Sequence, residues 1–214
     1  AAQSGGVGPI PEEVPLAQRS ARNVIRAMAL RTRGFYRIGM DGTVTAVAEP
    51  RRRVTYDDVV AAPADKVAEI LDGELFLSPR PANRHALASS SLGIAIGGAF
   101  SREAGHPAQP GGWWILFEPE LHFGSDVVVP DVAGWRRERM PCIPDEPWFE
   151  LAPDWICETL SPATARIDRT RKLAVYARAR VRHVWLLDPS ARMLEVLALE
   201  EDRWLITESH GGSD

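Results

Sequence analysis

The run from Asp154 to Asp188 reads strand, helix, strand, and that order constrains the fold more than any other feature of the chain. DWICETL and HVWLLD are short apolar stretches, and Ser161-Pro162 opens a helix between them that is expected to reach about Ala179. Strands joined through a helix lie parallel in one sheet, and the crossover helix covers a face of that sheet. Elsewhere the chain signals hairpins. VAEILDGELFL holds an Asp-Gly turn between two short strands, and MLEVLAL and RWLITE follow HVWLLD with turn residues between them. Hairpins together with one βαβ unit predict an α/β domain, a mixed β-sheet flanked by helices.

Other elements are less sharply marked. WWILFEPELHF and VVVPDVAGW are expected as two strands around Gly124-Ser125, and Ala82 to Glu103 as a long helix rich in Ala, Ser and Gly. Thr55 is placed to cap a short helix that Pro63 stops, and residues 141–153 form a Pro-rich loop. Residues 1–50 read as an N-terminal extension. Its first fifteen residues are rich in Gly and Pro and are expected to be poorly ordered, Leu16 to Arg33 to form a basic helix, and FYRIGMDGTVTAV to form a hairpin. The compact domain is expected over residues 51–210.

At 214 residues, the chain is long enough to bury a sizeable core. No apolar run reaches the roughly 18 residues of a membrane span. The opening residues lack the cationic and apolar regions of a secretory leader, and Cys142 and Cys157 form neither a disulfide framework nor a zinc spacing. The expected compartment is therefore a reducing cytoplasm. A net charge of −4 argues weakly against a sequence-blind, high-affinity nucleic-acid binder. The charge is unevenly spread, however. Ser161 to Arg182 holds seven basic residues against one acidic, while Glu138 to Glu158 is mainly acidic. A basic patch beside carboxylates suits a metal nuclease, with cations for the phosphate backbone and anions for the metal; a solvated helix face is the bland equivalent.

Two carboxylates stand in apolar strand sequence. Asp131 ends VVVPD and Glu158 lies inside WICETL. Burying such a group costs several kcal/mol, roughly, unless it is paired or holds a metal. Side chains alternate along a strand, so Val129, Asp131 and Ala133 are expected on one face, as are Ile156, Glu158 and Leu160. If the strands are neighbours, both carboxylates reach one spot and offer the oxygen ligands that Mg²⁺ prefers. Taken singly, each reads equally as a loop-edge cap or a salt-bridge partner. In the following helix Asp168, Lys172 and Tyr176 are spaced i, i+4, i+8 and form one stripe. The chain has only one other lysine, Lys66, among 25 basic residues. A lysine on this stripe is able to orient the attacking water and balance charge on phosphorus. By spacing alone an ordinary Asp–Lys helix pair is the simpler reading.

VAEILDGEL, VVVPD, PDWICETLSPAT, then Asp168, Lys172, Tyr176 and VRHVWLLDP resemble, in that order, the restriction endonuclease-like Uma-two family of the PD-(D/E)XK nuclease superfamily. The resemblance runs from about Val54 to Trp204. It implies a restriction endonuclease-like fold and a Mg²⁺- or Mn²⁺-dependent endonuclease hydrolysing DNA phosphodiester bonds. Pro130-Asp131 then matches the "PD" and Glu158 the second acidic residue, these being the metal ligands, while Glu69 matches the acidic residue of the first strand. The superfamily lysine would stand two residues after Glu158, where this chain has Leu160. The resemblance places it instead at Lys172, on the helix, with Tyr176 and Asp168 positioning it. A homodimer fits the need for two cuts in a duplex. The altered lysine position and acidic charge leave one alternative, a nuclease fold that binds nucleic acid or assembles without cutting.

Other residues carry weaker signals. Arg166, Arg169 and Arg171 are candidate backbone-phosphate contacts. Glu118, Glu120 and His122 alternate as if on one strand face and are candidates for a further ligand or a contact behind one, where solvation is the simpler reading; His85 is a candidate phosphate contact that reads more simply as a surface histidine. Trp113, Trp114, Trp155 and Trp185 are expected in the core.

Overall fold

The computed structural model describes residues 35–38, 43–47, 52–102 and 111–212. The contacts divide the chain into two units, Ala1–Arg53 and Val54–Asp214. In the first unit, β1 (Phe35–Ile38) and β2 (Val44–Val47) pair antiparallel, with Phe35 opposite Val47. The expected helix over Leu16 to Arg33, the expected disorder of the first fifteen residues and the Asp41-Gly42 turn lie outside the described residues.

The second unit carries two sheets. It opens with α1 (Tyr56–Val60), where Thr55 is the N-cap and its N–H donates to the Asp58 carboxylate at 2.9 Å. β3 (Lys66–Leu71) and β4 (Glu74–Pro79) then form a tight hairpin. Its turn residues Asp72 and Gly73 both have positive φ, +54° and +75°, the backbone that an Asp-Gly sequence signals. β6 (Leu121–Phe123) and β7 (Asp126–Val128) complete a four-stranded sheet in the order β4-β3-β7-β6.

The larger sheet runs β12-β11-β10-β9-β8-β5. It consists of β5 (Trp113–Phe117), β8 (Val132–Arg136), β9 (Trp155–Thr159), β10 (His183–Asp188), β11 (Met193–Glu200) and β12 (Arg203–Gly211). β9 pairs parallel with β10 and every other pairing is antiparallel, so the sheet is mixed, with the one expected crossover. That crossover is α3, an α-turn at Ala165–Ile167, a π-helical turn at Asp168–Lys172 and an α-helical end at Leu173–Arg178. α2 (Asn83–Phe100) is the long helix.

Two apolar clusters show how the layers stack. Leu92 and Ile96 of α2 pack with Trp113, Val132, Trp155, Cys157 and Trp185 on one face of the large sheet. On the other face, Ala133, Trp135, Ile156, Val184 and Leu186 pack with Leu173, Val175 and Tyr176 of α3 and with Leu71, Leu121 and Val128 of the small sheet. Trp155 is buried, and Trp113, Trp114 and Trp185 are half-buried against these clusters.

Two expected strands are corrected. WWILFEPELHF and VVVPDVAGW each break in the middle, and each contributes one strand to either sheet. The breaks have a covalent cause. Glu118 takes φ +45° before Pro119, and Pro130 lacks the N–H that would continue a ladder. The gaps face one another, since the Glu118 N–H donates to the Asp131 carbonyl at 3.1 Å. Asp131 therefore sits at the crossing between sheets and not within a strand, and the shared strand face expected for Val129, Asp131 and Ala133 does not exist. Among the described residues, no helix is long and apolar enough to cross a membrane.

Candidate active site

The alternation of β9 turns Glu158 toward α3, between Ile156 and Leu160, and leaves it almost wholly buried. α3 answers with Lys172, whose side chain is only 5% exposed and whose Nζ lies 2.9 Å from Glu158 Oε1. The same ammonium lies 3.1 Å from Glu69 Oε1 of β3, 3.8 Å from Asp168 Oδ1 and 3.2 Å from the Val129 carbonyl. Tyr176, one turn on, donates its hydroxyl to Glu158 Oε1. The stripe Asp168–Lys172–Tyr176 thus faces the sheet and is buried along its length. Its first five residues form the π turn, a helix form that recurs at functional sites.

Asp131 completes the group from the crossing between sheets. β8 and β9 are neighbours, with Val132 opposite Cys157, and Asp131 Oδ2 accepts the Thr159 N–H at 2.6 Å. Glu69, Asp131, Glu158, Asp168 and Lys172 line one cavity of about 250 Å³, together with His85, Glu118, Arg80 and Thr164. The first-strand glutamate, both strand-region carboxylates and the helix lysine are therefore brought together.

Five carboxyl groups line the cavity against one ammonium and one guanidinium, so the electrostatics are lopsided. Burial pushes Glu158 well above the usual carboxyl range, although Lys172 pulls it down, and burial raises Asp168 to about 6 against the same pull. Burial alone would lower Lys172, but Glu158 and Glu69 outweigh it, and the amine stays an ammonium ion well above its ordinary range. Tyr176 is raised by burial and then by Glu158, so it remains a neutral donor. Cys157, on the opposite face of β9, is raised by burial and stays a thiol.

Among the described residues, no three carboxylate, histidine or thiol groups form a ready-made cation cage. A hard divalent ion does not need one, since Mg²⁺ usually takes one or two carboxylates and completes its shell with water and phosphate. Each carboxylate has one oxygen committed to protein donors: Glu158 Oε1 to Tyr176 and Lys172, Glu69 Oε1 to Lys172 and the Val129 N–H, Asp131 Oδ2 to Thr159 and His85. The hydrogen bonds that fix these three carboxylates thus converge on one oxygen of each. The residues present fit a hard divalent cation.

The weaker candidates divide between the cavity and the surface. Arg169 pairs with Glu195 of β11, Arg171 with Asp72 and Glu74 at the β3–β4 turn, and Arg166 is exposed; none of the three lines the cavity. Glu118, Glu120 and His122 do not share a strand face. Glu118 reaches the cavity from the break, while His122 bonds Glu120 at 2.7 Å and stacks on Trp148. His85 is a correction. Its side chain is 11% exposed, and its Nε2 lies 3.3 Å from Asp131 Oδ2. Burial lowers its pKa, but the hydrogen bond and charge of Asp131 outweigh that and leave it raised. Its place at the start of a helix beside Pro81 gave no sign that the turn is folded over the site.

A family model described as "Putative restriction endonuclease" matches residues 55–214. The chain belongs to this family, Uma2. Among solved structures, a putative nuclease belonging to DUF820 from Anabaena variabilis is similar, with a TM-score of 0.59 and 21% identity, over 73% of this chain and 83% of that one. At that identity the likeness bears on the fold, and it makes this Uma2 chain restriction endonuclease-like in architecture. No curated protein matches the chain.

Proposed function

We propose that the protein is a divalent-metal-dependent endonuclease that hydrolyses DNA phosphodiester bonds. One observation carries the reading: Lys172, from the helix, has its ammonium within 3.1 Å of both Glu69 and Glu158 in the cavity that Asp131 also lines. Had Lys172 pointed to solvent, a fold that binds without cutting would be the better account.

Asp131 and Glu158 are the groups to hold the cation, with the free oxygen of Glu69 beside them. A bound Mg²⁺ or Mn²⁺ supplies Lewis acidity, neutralising charge on the phosphate and making water a better nucleophile near neutral pH. The rest falls to side chains. Lys172, held as a cation by its carboxylate neighbours, does not serve as a proton acceptor near neutral pH. Its role is to offset charge gathering on the phosphoryl oxygens and to orient the attacking water. Tyr176 fixes Glu158 Oε1 and so leaves Oε2 as the oxygen to offer a cation. The exposed Arg166, in the first turn of α3, is the candidate contact for flanking backbone phosphates.

The test is plasmid nicking in Mg²⁺ or Mn²⁺ by wild type, Asp131→Ala and Lys172→Ala. Metal-dependent nicking by wild type, lost by at least about 100-fold in each variant, is the expected result. Wild-type protein that binds metal but leaves DNA intact would reject the nuclease reading in favour of a binding module.

A further inference from the structure

Three side chains outside the set that would hold the metal, His85, Ser89 and Thr159, close a ring of hydrogen bonds around one of its members. His85 lies near the start of α2, three positions after Ala82. Its Nε2 is 3.3 Å from Asp131 Oδ2, and its Nδ1 is 3.5 Å from the Ser89 hydroxyl one turn along. Ser89, buried at 9% exposure, donates to Thr159 Oγ1 at 2.9 Å. The Thr159 N–H returns to Asp131 Oδ2 at 2.6 Å. The ring thus joins α2, the end of β9 and the crossing between sheets.

We infer that His85 is a positioning residue for Asp131: its Nε2–H and the Thr159 N–H together occupy Oδ2, leaving Oδ1 as the atom presented to a divalent cation. The inference rests on the metal-dependent reading above. A carboxylate oxygen has two lone-pair directions, and two donors converge on this one. Asp131 lies in an interrupted stretch where no strand ladder fixes its backbone on both sides, so its carboxylate depends on such contacts for direction. A carboxylate turned by a wrong donor would offer the cation a poorer lone pair, and hydrogen-bond partners behind metal ligands are known to tune affinity in this way. Ser89 lies at the other edge of the imidazole, its hydroxyl 3.5 Å from Nδ1.

Calorimetric titration of the full-length chain with Mn²⁺, free of nucleic acid, tests this without relying on cleavage. His85→Gln keeps an amide N–H near the position of Nε2. His85→Asn carries one near Nδ1, too short to meet Asp131. His85→Gln is expected to bind Mn²⁺ within a few-fold of wild type, and His85→Asn to lose about 10- to 100-fold. Thermal unfolding of both variants checks that each is folded, and their similar polarity makes them each other's control. Equal affinity in the two variants, whether both match wild type or both are weak, overturns the positioning role. If wild type itself takes up no Mn²⁺, the metal reading fails and this inference with it; binding that ignores position 85 defeats the inference alone.

Discussion

Along β9, Trp155 and Cys157 face an apolar cluster under α2, whereas Glu158, between Ile156 and Leu160, faces Lys172 and Tyr176. Both faces exclude water almost equally well. They differ in what crosses the gap. Under α2 the partners are Leu92, Ile96 and aromatic rings, so each contact is replaceable by another of similar volume. Under α3 the partners are charges, and each is held in place by the others. A buried charge is tolerated here because several donors and acceptors converge on it, and the loss of one leaves the rest uncompensated.

The comparison is broken most severely at Lys172. Lys172→Ala strands Glu158 and Glu69 in a buried site, and a loss of about 3–5 kcal/mol is expected by urea denaturation in metal-free buffer. A loss below about 1 kcal/mol would mean that the carboxylates take up protons and need no amine.

A smaller effect is expected from pH. Asp168 titrates near 6 in the folded chain against an ordinary value of 3.8, so the folded state binds its proton more tightly than the unfolded chain does. Its contribution to stability is therefore fully present below pH 3.8 and is lost as pH rises through about 6. Between about pH 5 and pH 7.5, wild type should lose about 1–2 kcal/mol through this group. Asp168→Asn should show a shallower pH dependence over the same interval. An unchanged slope would place the titration elsewhere in the cluster, with Glu158 the first alternative.

The smallest change belongs to the apolar face. Cys157→Ala removes one buried sulfur and should cost about 1 kcal/mol, with Mn²⁺ affinity unaltered. A fall in metal affinity from this variant would show that the two faces of β9 are not independent.

Glu158 stood out in the chain as a charge inside an apolar strand, and helical spacing put Asp168, Lys172 and Tyr176 on one stripe, but only the resemblance raised that stripe above an ordinary helix pair. Glu69 had no such local signal. Its contact to Lys172 spans about a hundred residues of chain, and only resemblance pointed to it. His85 was hidden for another reason, since the first turn of a helix carries no mark of whether it is covered. The strand breaks left a trace in Pro119 and Pro130, but the apolar pattern continues across both, and alternation reads straight through a gap that the proline ring enforces. The π turn has no sequence signature at all. It keeps Asp168 and Lys172 both buried where helical spacing alone made them an unremarkable surface pair.

Asp131 stands where the chain passes from the small sheet to the large one, Glu69 belongs to the first, and Glu158 belongs to the second. No single layer contains a usable fraction of the site. The grouping of these side chains exists only where the two sheets and α3 pack on one another, so a substitution that loosens that packing dismantles the centre without touching any of its residues.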